Sequence, residues 1–270
     1  MHRGPESDLG ATRLIGWPLP LIQDPVFYAV AIPAVLLMGI SKSGFGSGFG
    51  SLAVPIMALA VPVPQAAAIL IPVLLVLDVL ALHAWRRHFD WTLIRFLLPF
   101  GLLGTLVGTF SFRSLDSRMV AGLVGVFTLM FLAQRVFLPP RADSAPPPKW
   151  VGGILTTLAG FTSFISHAGG PAVNAYVIPL RLPPATFAAT MAVFFFSINI
   201  AKWVPYAWLG LLDARNMVTA LVLLPLTPVG VYIGMYVARR IDPKLFYRFI
   251  TVGMLLTGVK LVWDGFLAAR

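Results

Sequence analysis

The sequence predicts an all-α polytopic membrane protein made of two repeats of four hydrophobic segments each, with a broken or re-entrant helix at the start of each half and the halves arranged as an inverted repeat. Three observations predict it. Hydrophobic residues make up 58% of the chain and charged residues 11%, against about 25% charged in soluble domains, so there is more apolar surface than a water-facing fold can bury. Long apolar runs, among them 66–82, 96–112 and 217–238, match the roughly 20 residues that cross a hydrocarbon core of about 30 Å. Landmarks of the first half also recur in the second in the same order.

Residues 1–25 carry Arg3, Arg13, Glu6 and Asp8 with Pro5, Pro18 and Pro20. They lack the short apolar core and small-residue cleavage site of a signal peptide and read as an extramembrane lead-in. Apolar segments then fall at about 26–40, 52–62, 65–84, 96–112, 119–137, 151–165, 172–182, 185–206, 217–238 and 246–266. The first two and the two after residue 150 are 11 to 15 residues long. At 1.5 Å per residue such helices rise only about 16 to 23 Å, short of a bilayer core. Each pair therefore reads as one broken or re-entrant helix. The stretch 139–150 opens as PPRADSAPPPK; it cannot close its backbone hydrogen bonds in lipid and serves as a linker. This leaves a first transmembrane repeat at 26–138 and a second at 151–270.

The two halves align without outside help. SGFGSGFGSLAVP, ending at Pro55, faces FISHAGGPAVNAYVIP, ending at Pro179, 124 residues later. His83-Ala84-Trp85 with Asp90 faces Tyr206-Ala207-Trp208 with Asp213, and Pro99, Gly104, Gly108 and Asp116 face Pro225, Gly230, Gly234 and Asp242. With three full spans and one re-entrant hairpin per half, the second half enters from the opposite face. Arg86, Arg87, Arg95, Arg135, Arg181 and Arg239 then share one face with five further basic residues, against six such residues on the other, which makes the first face cytoplasmic. If the broken segments cross completely, there are eight spans and parallel halves, and this bias nearly vanishes.

The chain has 20 Lys+Arg against 10 Asp+Glu, a formal charge of +10. Those basic residues lie mainly between apolar spans, where they orient the chain and meet lipid headgroups, so the partner they imply is the bilayer and not nucleic acid. Cysteine is absent and the four His show no ligand spacing, so no metal site and no cofactor is expected. A rhomboid-type protease would need Gly two residues before its serine, and Ser47 has Phe45 there. The expectation is therefore a non-enzyme.

The first break runs Ser41-Lys42-Ser43-Gly44-Phe45-Gly46-Ser47-Gly48. Glycine amides beside helix N-termini make anion sites, and Lys42 adds a full charge. The alternatives are close helix packing by the glycines and a snorkelling Lys42. The second break runs from Ser163 to Asn174, Ser163-Phe164-Ile165-Ser166-His167-Ala168-Gly169-Gly170-Pro171-Ala172-Val173-Asn174. His167 could donate to an anion, shuttle a proton or make a local hydrogen bond; Asn174 could contact substrate. Asp78, Asn199 and Lys202 lie within spans, where polar groups default to function. They could line a cavity, provide proton coupling, or pair with each other across the repeat interface, while Lys202 could also snorkel.

The stretch 39–55, GISKSGFGSGFGSLAVP, followed by Pro64-Gln65-Ala66-Ala67-Ala68, and the stretch 160–179, GFTSFISHAGGPAVNAYVIP, resemble the paired signatures of the TauE/SafE sulfite exporter (TSUP) family. The resemblance covers essentially the whole chain after residue 25. It implies a multi-pass permease of the bacterial inner membrane, built from a duplicated four-segment unit. The substrates it implies are sulfite, sulfoacetate, thiosulfate and other organosulfur or carboxylate anions. Lys42, Ser43, Gly44, Gly46, His167, Gly169, Gly170 and Asn174 occupy its signature positions. Ser43 stands where relatives carry a second Gly after the Lys, and Asn174 where they carry Gln. The expected activity is secondary transport of a small anion, in the export direction, by alternating access. A passive anion channel using the same donors is the alternative, and an intramembrane enzyme a third.

Overall fold

The computed structural model describes residues 20–43, 49–86, 88–139, 145–238 and 243–268. Among them every regular element is helical. The first half comprises α1 (Pro25–Ser43), a 3-10 turn (Phe49–Leu52) leading into α2 (Ala53–Met57), α3 (Val63–Trp85), α4 (Trp91–Ser114) and α5 (Ser117–Phe137). The second comprises α6 (Lys149–Ser166), α7 (Gly170–Val177), α8 (Pro184–Ala201), α9 (Trp203–Trp208), α10 (Ala214–Leu223), α11 (Leu226–Ala238) and α12 (Pro243–Val262), which continues as a π turn (Trp263–Leu267).

Local chemistry explains where several of these helices start. Asp90, Asp116 and Asp213 each accept a hydrogen bond from the backbone N–H three residues on, at 2.9, 2.7 and 2.7 Å. That is the N-cap bond of α4, α5 and α10. Asp90 and Asp213, which align in sequence, are thus both helix caps, as is Asp116; its aligned partner Asp242 lies outside the described residues. Proline opens α3 and α8, where its missing N–H is not needed.

By length and composition α3, α4, α5 and the 25-residue run Pro184–Trp208, spanning α8 and α9, can cross a membrane. The pair α10–α11 makes a fifth, bent by 41°. The segment 217–238 is therefore not the straight span its hydropathy suggests. Pro225 removes the N–H that would pair with the Leu221 carbonyl and Pro228 the one for Leu224; the latter carbonyl instead takes Thr227 N–H at 2.9 Å. Single internal prolines, Pro72 in α3 and Pro99 in α4, leave their helices continuous. Two prolines three residues apart do not.

Many large apolar side chains face outward, and small residues line several helix crossings. On α4, Leu102, Leu103, Leu106, Val107 and Phe110 are exposed, while Gly101, Gly104, Thr105 and Gly108 are buried. Packing between helices in lipid has no hydrophobic drive and rests on close backbone approach. Accordingly α4 lies against α6 so tightly that a Cβ on Gly104 would sit 1.9 Å from the Thr157 carbonyl oxygen, and one on Gly160 would sit 2.0 Å from that of Gly101. In the same way α1 meets α11 where Gly39 faces Gly230. α3 packs against α8 and α10, α4 also against α8, and α5 against α12. The most deeply buried run is 66–71 of α3, so α3 is the axis around which the polar site is built.

Candidate functional site

α6 stops inside the bundle. Its C-terminal residue is followed by His167 in the left-handed conformation, φ 55° and ψ 25°, a place Gly usually takes at a helix end and His more readily than most residues. His167 N–H still reaches the Ser163 carbonyl at 3.1 Å, and Ala168 N–H reaches that of Thr162 at 3.3 Å. The Thr162 hydroxyl lies 2.9 Å from Leu158 O and 3.2 Å from Ala168 O. α7 begins directly at Gly170. Gly169 allows this because a Cβ there would lie 2.6 Å from the Ala159 carbonyl oxygen.

Against this turn stands the end of α8. Lys202 is fully buried, as is Asp78 on α3, and Asn199 is 2% exposed. Lys202 Nζ lies 2.6 Å from Ser163 O, 2.7 Å from Ser163 Oγ, 2.9 Å from Asn199 Oδ1 and 3.3 Å from His167 Nδ1. Asn199 then turns its amide nitrogen to the Asp78 carboxylate, Nδ2 to Oδ2 at 2.5 Å. An amide placed this way offers its acceptor to an ammonium and its donors to a carboxylate, so it joins two opposite charges that desolvation would make costly apart. Lys202 does not snorkel.

His167 has both ring nitrogens engaged. Nε2 sits 2.9 Å from the Ala67 carbonyl of α3 and Nδ1 faces the Lys202 ammonium. A carbonyl can only accept and an ammonium can only donate, so these partners assign the neutral ring with its proton on Nε2. In this conformation the ring tethers the break to α3 and has no donor left for an anion. One turn beyond Lys202, the buried Tyr206 hydroxyl donates to the Phe164 carbonyl at 2.6 Å, and its ring packs edge-on against Phe164 at 5.1 Å.

The structure thus brings His167, Asp78, Asn199 and Lys202 into one network and places Gly169, Gly170 and the buried Asn174 on the start of α7 beside it. The backbone of Lys42 and Ser43 forms the last turn of α1; their side chains, and Gly44, Gly46 and Ser47 altogether, lie outside the described residues. Sequence reasoning placed Ser163 in the second break and Tyr206 among the repeat landmarks but gave neither a role at the site, and it did not single out Thr162. Tyr206 had a usable signal, since it follows Lys202 by four residues and so shares its helical face. Ser163 had none, because its carbonyl carries as much of the bonding as its hydroxyl.

Ionisable groups held between membrane helices mark the paths of ions and solutes, and a multi-pass bundle built around such a network falls in the transporter class. The particular family follows from comparison. A family model described as "Sulfite exporter TauE/SafE" matches residues 31–261, and the chain belongs to that family. Among curated proteins it is similar to the "Probable inner membrane transporter protein TsaS" of Comamonas testosteroni, with 27% identity over 177 residues, 65% of this chain and 73% of that one. No solved structure matches it.

Proposed function

We propose that this protein is a secondary transporter of the inner membrane that exports small anions, sulfite, an organosulfonate or a related carboxylate, by alternating access. The anion is held between the two helix breaks, the Lys42-bearing one after α1 and the His167-bearing one after α6. The observation that carries this reading is the break between α6 and α7, which lies inside the bundle against a buried network holding Lys202, Asn199 and Asp78. Ionisable groups buried at such a break are costly in a membrane bundle and default to a functional reading. The family match supplies the class of cargo.

The pattern of the main helix contacts supports two halves related by a two-fold axis, as both inverted and parallel repeats are. α4 on α6 corresponds to α11 on α1, and α3 on α10 to α8 on α4; α3 with α8 and α5 with α12 pair with their own counterparts. Each contact is exchanged into another by swapping the halves, as a two-fold relation requires.

Purified protein in proteoliposomes loaded with unlabelled sulfite should accumulate labelled sulfite transiently, by counterflow. Downhill flux without counterflow would identify a channel instead. Lys42→Ala should lower the counterflow rate at least tenfold in folded protein; a wild-type rate would remove Lys42 from the site.

A further inference from the structure

A helix that ends inside a membrane bundle strands its last carbonyls, because the helix offers no N–H and there is no water to replace it. At the end of α6 two consecutive carbonyls receive side chains from the neighbouring stretch: Ser163 O, which also keeps the His167 N–H at 3.1 Å, takes Lys202 Nζ at 2.6 Å, and Phe164 O, which has lost its helical donor, takes Tyr206 OH at 2.6 Å. The two donors are spaced four residues apart, so they lie one above the other on one face, matching the two carbonyls in order. Phe164, Lys202 and Tyr206 are at most 1% exposed, which leaves solvent no part in this bonding. The N–H of Ala168, which a continuing helix would give to Phe164 O, goes to Thr162 O instead. The Phe164 carbonyl therefore depends on Tyr206.

We infer that Lys202 and Tyr206 form one device, a cap supplied to α6 from α8–α9. It fixes the left-handed turn at His167 and the direction in which α7 starts, and Lys202 is a positioning residue and not an anion ligand. An ammonium has three N–H donors. Lys202 already has four acceptors around it, Ser163 O, Ser163 Oγ, Asn199 Oδ1 and His167 Nδ1, and its charge is referred to Asp78 through Asn199. Tyr206, which carries no charge, performs the same task on the next carbonyl. A positive end-group is also the favourable partner for the negative C-terminal end of a helix dipole. This inference rests on the proposed function only in so far as the turn it shapes is part of the anion's path.

The test uses Tyr206→Phe, Lys202→Met, Lys202→Gln and the Tyr206→Phe/Lys202→Met pair. The readouts are backbone hydrogen exchange over residues 163–170 and the KM for sulfite in proteoliposomes. A shared cap predicts that Tyr206→Phe and Lys202→Met each speed exchange in that segment and raise KM, both by about tenfold, the effect of one net hydrogen bond. It predicts that the double variant is hardly worse than the more affected single, and that Lys202→Gln, which keeps a donor but no charge, retains more activity than Lys202→Met. The inference is overturned if Tyr206→Phe matches wild type in both readouts while Lys202→Met and Lys202→Gln raise KM equally. Should the Lys202 variants fail to fold, Tyr206→Phe, which loses one oxygen and no charge, decides alone: unchanged exchange over 163–170 sinks the cap. If wild-type protein moves no sulfite, the transport reading fails, whereas the exchange measurement still tests the cap.

Discussion

Between α6 and α7 the chain leaves the helix at His167 with a φ of 55°, whereas between α10 and α11 it bends by 41° around Leu224 and Pro225. The second interruption is made by subtraction. Two prolines withhold two N–H groups, the Leu224 carbonyl finds Thr227 N–H, and the Thr227 hydroxyl is buried without a hydrogen-bond partner among the described residues. The first is made by addition: Lys202, Tyr206 and Asn199 come from one neighbouring stretch, Asp78 and the Ala67 carbonyl from another. A proline bend shapes a helix to its neighbours. A break furnished with buried charges and donors from neighbouring helices is held in place by bonds that packing alone supplies.

Breaking that contrast should give graded effects. The largest is expected for Lys202→Met. It removes a buried ammonium that Ser163 and Asn199 bond directly and should lower the unfolding free energy of purified protein by about 2–3 kcal/mol. Asp78→Asn/Lys202→Met removes both charges and should recover a good part of the loss; a double variant no more stable than Lys202→Met would mean that the two charges do not compensate each other. Next, Gly169→Ala forces a methyl group toward the Ala159 carbonyl, 2.6 Å away, and should cost roughly 1–3 kcal/mol together with most of the transport, read by the same unfolding and counterflow assays.

Pro225→Ala is the matching change at the other interruption. The bend there is held by α11 lying on α1 at Gly39 and Gly230, so stability should move by no more than about 1 kcal/mol and counterflow should stay near wild type. A severe transport defect would make the α10–α11 bend a second moving part. The smallest effect is expected for Lys260→Ala. Lys260 and Asp264 form an i,i+4 ion pair with side chains 52% and 44% exposed, and its removal should alter stability by less than about 0.5 kcal/mol. A loss near that of Lys202→Met would overturn the claim that burial separates the two lysines.

Much of the fold was legible in the sequence for reasons local to the chain. The spans follow from hydropathy and length. The break after α6 follows from its glycine and proline cluster, while residues 44–48 of the first break lie outside the described residues. Asp90, Asp116 and Asp213 mark helix starts because an N-cap is read from a few neighbouring residues. The α10–α11 bend was legible too, in the spacing of Pro225 and Pro228, and was missed because the hydropathy of 217–238 is continuous. At the site, the sequence placed Asp78, Asn199 and Lys202 at membrane depth but left cavity lining, pairing and snorkelling open. Ser163 and Tyr206 were noted only as part of a break and as a repeat landmark, without a role at the site.

By itself, then, the sequence determined that this chain lives in a membrane, where its helices run and are interrupted, and the family to which its motifs point. These are properties of segments of ten to twenty residues against a uniform solvent. Only the tertiary structure decided that Lys202 faces Ser163, 39 residues away, that Asn199 joins it to Asp78, 121 residues away from Asn199, and that His167 reaches Ala67. Those bonds depend on α3, α6 and α8 meeting at one level, which is set by close glycine crossings elsewhere in the bundle. A buried charge takes its meaning from the partners that packing brings to it.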